Sequence, residues 1–153
     1  MKVGKLLNIF SLGLLIYNWI YCITNYSKLP QTIPIHFNFA GEADGFGDKI
    51  IILLFPSIAT IIFFMYRYFR KNPKSPFLNI PQSIKKDKGL IYLLIEIINI
   101  LSVILFLNIT YETITYINNN LEKIGNNTLL IVATLVITII LFTIYSKKSK
   151  KLI

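Results

Sequence analysis

The chain has 153 residues, 54% of them apolar and only 15% charged, with a formal net charge of +9 at pH 7. A soluble domain averages about 45–50% apolar and about 25% charged residues, so this composition excludes a disordered chain and a nucleic-acid-binding domain and argues against a water-soluble enzyme. The length fits one domain, and the lone Cys22 excludes an internal disulfide framework. The class that remains is a membrane protein.

Four stretches are long and apolar enough to cross a hydrocarbon core of about 30 Å as helices, which takes about 18 or more residues. They run from Leu6 to Tyr26, Ile50 to Tyr68, Gly89 to Thr110 and Thr128 to Tyr145. The first and fourth carry no ionisable Asp, Glu, Lys, Arg or His, nor does the second as far as Tyr66; the third carries Glu96. All four read as apolar all round, unlike surface helices of a soluble protein. Lys2 and Lys5 ahead of the first stretch imitate a secretory signal. The run exceeds the usual h-region of about 7–15 residues, however, and no small-x-small site follows, which predicts an uncleaved first helix.

Orientation follows from the basic residues. All but Lys28, Lys49 and Lys123 of the 16 lie at the N-terminus, between the second and third helices, or at the C-terminus. The rule predicts both termini inside and the loops 27–49 and 111–127 outside, with Tyr17, Trp19, Tyr21, Tyr26, Tyr66, Tyr68, Tyr111, Tyr116 and Tyr145 near the headgroups. The basic clusters then serve topology and contact with anionic lipid, and no nucleic-acid partner is expected.

The outer loop after the first helix is the most informative segment. Pro30 and Pro34 bias their predecessors away from helix. Ile33, Ile35, Phe37 and Phe39 alternate with polar or turn residues, a period-two strand signal, and Gly41, Gly45 and Gly47 follow in a turn-rich stretch. A short strand or hairpin is predicted, its apolar face against helix ends or lipid and His36 and Asn38 free. His36, Glu42, Asp44 and Asp48 are also potential metal ligands. With one histidine in the chain and no EF-hand spacing, the structural reading is preferred: Asp44 capping the glycine turns, Lys49 anchoring the second helix at the headgroups, and His36 bonding a loop carbonyl. A third reading makes the loop a recognition surface for a peptide, with His36 and Asn38 as contacts.

From Leu15 to Phe64 the chain resembles a small bacterial membrane domain that also opens the SdpI-like immunity proteins. The resemblance rests on the spacing L-P-x-x-I-P-x-H-F-N-x-x-G-x-x-D-G-x-G-x-K, met here by Leu29, Pro30, Ile33, Pro34, His36, Phe37, Asn38, Gly41, Asp44, Gly45, Gly47 and Lys49. An apolar helix containing Pro56 follows at once. The resemblance implies a Gram-positive plasma-membrane protein that protects a producer cell from its own secreted peptide toxin and signals the toxin's presence. Immunity members continue into a larger multi-helix second half, which the two further helices here do not match.

Glu96 lies seven residues into the third helix, about 10 Å from its start at 1.5 Å per residue, where an ionisable residue is by default a functional candidate. Its alternatives are a proton relay or cation site and an acid making one interhelical hydrogen bond, with Asn99 one turn on as a partner. Asn108, Thr134, Thr138 and Thr143 are expected to add polar contacts between helices. Pro56 predicts a kink in the second helix. No catalytic triad, zinc-protease helix, Walker loop or dinucleotide fingerprint is present.

The sequence thus predicts an all-α integral membrane protein of the plasma membrane, with four transmembrane helices, both ends inside and a strand-like outer loop. It divides into a two-helix unit (1–69), a basic cytoplasmic loop (70–88) and a second helical hairpin with a basic tail (89–153). Its expected role is binding without covalent chemistry, cofactor or metal. His36, Asn38, Asp44 and Lys49 meet a secreted peptide toxin or an envelope protein, and the basic loop holds a cytosolic regulator. The rival is a small transporter or accessory subunit using Glu96, and an envelope enzyme using His36 ranks below both.

Overall fold

The structure, a computed structural model, describes residues 2–72, 75–76 and 88–150, with Lys2, Lys88 and residues 145–150 described by backbone alone. Most of the predicted basic loop therefore lies outside the described residues, as does the end of the basic tail. The elements are α1 (Lys2–Tyr26), β1 (Thr32–Phe37), β2 (Ala43–Asp48), a 3-10 turn (Lys49–Leu53), α2 (Leu54–Lys71), α3 (Lys88–Asn118) and α4 (Asn127–Lys150). Four helical segments, the second formed by the 3-10 turn together with α2, are long and apolar enough to cross a membrane, and the chain is a multi-pass membrane protein.

The first helix is inside-out relative to a helix of a soluble bundle. The buried face of α1 carries Asn8, Ser11, Leu15, Asn18 and Cys22, whereas Ile9, Phe10, Ile16, Ile20 and Ile23 point outward. Lipid solvates isoleucine as well as a neighbouring helix does, so small and polar side chains take the interhelical positions. The 3.6-residue pattern is present in α1 with polarity reversed, and a reading that sums apolarity sees only a uniform stretch. The long α3 is central, packing on both α1 and α2, while α4 packs chiefly on α3. Trp19 Nε1 donates to Thr60 Oγ1 at 3.0 Å, tying α1 to α2.

Two boundaries differ from the sequence reading. α3 continues past Thr110 to Asn118, so Tyr111, Glu112 and Tyr116 are helical. It ends in a Schellman pair: Asn120 adopts a left-handed φ of 48°, Leu121 N–H donates to Tyr116 O at 3.0 Å and Asn120 N–H to Ile117 O at 3.4 Å. The second helix opens as a 3-10 turn capped by Asp48, whose Oδ1 accepts from Ile50 N–H at 2.8 Å. Pro56 is consequently the third residue of α2. This helix follows the 3-10 turn without a break, so the missing N–H of Pro56 falls where the helix passes from 3-10 to α geometry.

β1 and β2 form an antiparallel hairpin with the register Ile33↔Gly47, Pro34↔Phe46, His36↔Gly45 and Phe37↔Ala43. Ile35 and Asp44 fall between partners, so each strand carries one irregularity. This breaks the expected alternation. Ile33 and Pro34 are buried in succession, Ile35 is exposed and Phe39 is 98% exposed. Ile33 seats the hairpin on a core of Cys22, Leu29, Ile52 and Ile114.

Candidate functional site

At the hairpin end of the bundle, the strands, α3 and the α3–α4 loop enclose a cavity of about 600 Å³. One docking point sets their spacing. Gly41 has φ +82°, and a Cβ there would lie 2.8 Å from Ile124 O, so glycine is required. Ile124 N–H in turn donates to Gly41 O at 2.9 Å, fastening the hairpin turn to the loop after α3. Phe37 packs edge-on against Tyr116 of α3, with centroids 5.3 Å apart.

His36, Asn38 and Asp44 all line this cavity, with Pro34, Phe37 and Gly41. His36 and Asn38, expected to be free, both have partners. His36 Nδ1 meets Asp44 Oδ1 at 2.5 Å, and the pair is exposed. The displaced register of Asp44 and the close approach of Gly45, where a Cβ would lie 3.0 Å from His36 Cβ, make room for this pairing. Asn38, not Asp44, organises the turn. Its Oδ1 accepts from Ala40 N–H at 2.9 Å and Glu42 N–H at 3.0 Å, and its Nδ2 donates to Glu42 Oε2 at 3.0 Å. Gly47 faces the Cδ1 atoms of Ile35 and Ile51 at 2.9 and 3.0 Å from a hypothetical Cβ.

Lys49 does not line the cavity. Its Nζ donates to Leu29 O at 3.3 Å and lies 5.1 Å from the centroid of the Tyr26 ring, so it braces the chain between α1 and β1. Pro30, exposed, follows the turn that ends α1. Among the described residues no cluster of three or more His, Cys, Asp or Glu side chains is arranged to hold a metal ion.

The residue the sequence reading missed is Glu112, assigned there to an exposed loop. It is 7% exposed and lines the cavity floor. Thr128 Oγ1 donates to its Oε2 at 2.7 Å and accepts from Asn108 Nδ2 at 2.9 Å, linking α3 to the start of α4. Glu112 Oε1 is buried with no hydrogen-bond partner among the described residues. The signal available was the four-residue spacing of Asn108 and Glu112, which puts both on one helical face.

Glu96 stands at the opposite end of the bundle. It is 1% exposed, and Arg70 Nη1 donates to its Oε1 at 2.7 Å. Asn8 Nδ2 lies 3.5 Å from Glu96 Oε2, and Arg67 Nη1 donates to Asn8 Oδ1 at 3.3 Å. The acid is therefore ion-paired across α2 and α3, not alone. Asn99, the partner expected from sequence, has a buried Oδ1 without a hydrogen bond among the described residues. Of the other polar residues, Asn108 does reach across helices. Thr134, Thr138 and Thr143 bond the carbonyls four residues back in α4 itself.

Residues 13–60 match the family described as Domain of unknown function (DUF1648). The match takes in most of α1, the whole hairpin and the first part of α2. The chain is also similar to an uncharacterized protein of Archaeoglobus fulgidus, at 35% identity over 81 residues, 49% of this chain and 43% of that protein. It thus spans less than half the length of that relative. No solved structure matches the chain.

Proposed function

We propose that the protein binds a secreted peptide at the hairpin end of its helix bundle, as an immunity or sensing protein of SdpI-like type in the plasma membrane. The observation that carries this reading is the 600 Å³ cavity, where His36, Asn38 and Asp44 stand over a buried carboxylate oxygen of Glu112 that has no partner among the described residues. A concave, mainly apolar site with a few convergent polar groups is the usual form of a binding site. The fully exposed Phe39 beside it offers an apolar contact to an incoming chain.

In this reading the termini face the cytoplasm, in keeping with the crowding of Lys and Arg at that end, and the hairpin faces outward. Peptide, or an envelope protein, wedges between the hairpin and the α3–α4 loop, alters their docking at Gly41 and Ile124, and shifts the packing of α3 against α1 and α2. The basic segment between α2 and α3 passes that shift to a cytosolic regulator. No covalent step is assigned to the chain. The test is survival of cells producing wild type, H36A, F39A or E96Q at matched membrane levels, challenged with secreted antimicrobial peptides. Protection lost with H36A or F39A and kept with E96Q supports binding at the hairpin. Protection lost with E96Q alone supports the rival reading, transport through Glu96.

A further inference from the structure

At the end of the bundle remote from the hairpin, α1, α2 and α3 surround a second cavity of about 1120 Å³. Lys5, Arg67, Arg70 and Lys71 line it, and no acidic residue among its described lining residues balances them. Glu96 stands behind Arg70 and neutralises one of the four charges. Neither Lys5 nor Lys71 has an acidic partner among the described residues. Four cations facing one space, with one of them neutralised, leave the cavity with a net positive charge.

The two guanidinium groups are positioned, not loose. Arg70 is held by Glu96, and Arg67 by Asn8, which itself lies within hydrogen-bond reach of Glu96. A guanidinium has five N–H donors, and one from each arginine is engaged in these bonds. The rest are available to the cavity in the planar fork that suits phosphate oxygens. Beside Tyr92, the walls include the apolar Ile9 and Leu12 of α1 and Leu93 of α3, which are exposed on the outer surface of the bundle.

We infer that this cavity is a binding site for an anionic phospholipid, the phosphate seated among Lys5, Arg67, Arg70 and Lys71 and the acyl chains lying along Ile9, Leu12 and Leu93. Basic pockets between membrane helices recognise lipid headgroups in this way. The apolar walls leading out of the basic pocket favour a lipid over a free phosphate ion. None of the residues lining this site lines the 600 Å³ cavity at the hairpin end.

The test is native mass spectrometry of the purified full chain with phosphatidylglycerol, phosphatidylcholine or inorganic phosphate added, with thermal unfolding in detergent as a fold check. Wild type is expected to retain phosphatidylglycerol in preference to phosphatidylcholine. K5Q/K71Q, which alters two exposed residues, is expected to weaken that binding about twenty-five-fold, as roughly fivefold per charge implies, without shifting lipid-free unfolding. R67Q, which leaves the Arg70–Glu96 pair intact, is expected to act in the same direction. K147Q/K148Q removes the same charge from the tail and is expected to change binding less than twofold. Equal losses in K5Q/K71Q and K147Q/K148Q, equal retention of the two lipids, or competition by inorganic phosphate at the concentration of the lipid would each overturn the inference.

Discussion

Gly41 and Glu96 are the residues on which the two ends of the molecule turn. At Gly41 an alanine would meet both a left-handed backbone and a carbonyl oxygen 2.8 Å from its Cβ. The backbone term alone costs about 1–2 kcal/mol. G41A is therefore expected to lower the unfolding temperature and to free the Ile124 amide, whose acceptor is Gly41 O. Hydrogen exchange at Ile124 measures the second effect separately from the first. At Glu96 the outcome follows from pairing. Removing one partner of a buried ion pair leaves a stranded charge, so E96Q is expected to cost roughly 3 kcal/mol, the low end of the range for such pairs, because a quarter of the Arg70 side chain is exposed. R70Q/E96Q strands no charge and is expected to recover much of that loss. Equilibrium unfolding in mixed micelles compares the two; a double variant less stable than E96Q would contradict the pairing argument.

At the scale of elements, the sequence made the four spans and the hairpin legible, because length, apolarity and clustered Pro and Gly are local properties. It hid what depends on partners. The alternation from Ile33 to Phe39 assumed an unbroken strand, and the displaced register at Ile35 and Asp44 turns Ile35 outward and brings Asp44 to His36. The sequence reading ended the third span at Thr110 and placed Glu112, with Thr113 and Thr115, in the outer loop. The acid is in fact buried by Thr128 from α4, a contact no local pattern shows. Arg70 was read as part of a basic cluster, and its pairing with Glu96, 26 residues away, is a tertiary fact. The threonines of the last helix give a direct comparison. T128V removes the bridge between Asn108 and Glu112 and is expected to cost about 1–2 kcal/mol, the penalty for buried polar groups left unpaired. T138V loses only a bond to its own helix and is expected to stay within about 0.5 kcal/mol. Parallel unfolding curves check the pair, and equal effects would contradict the interhelical role of Thr128.

At the scale of the whole molecule, the charged side chains of the described residues gather at the two ends of the bundle, while uncharged polar side chains run between the helices. One end joins the hairpin and the α3–α4 loop over a carboxylate; the other gathers cations around Glu96 and Asn8. The long α3 runs between them and touches both, through Glu112 near its C-terminus and Glu96 near its N-terminus. In the proposed reading, a ligand that moves one end of α3 alters the packing at the other, and that is how binding at the hairpin would be felt at the far end. The most direct test of this account fills the hairpin-end cavity. Gly125 lines it, and a Cβ there would sit 3.6 Å from Glu112 Oε1, in ordinary contact. G125F therefore places a ring in the cavity from an exposed loop position. With membrane level and unfolding temperature held at the wild-type values, the account predicts that cells producing G125F lose peptide protection to the level of cells without the protein. Protection equal to wild type with the cavity filled would contradict it.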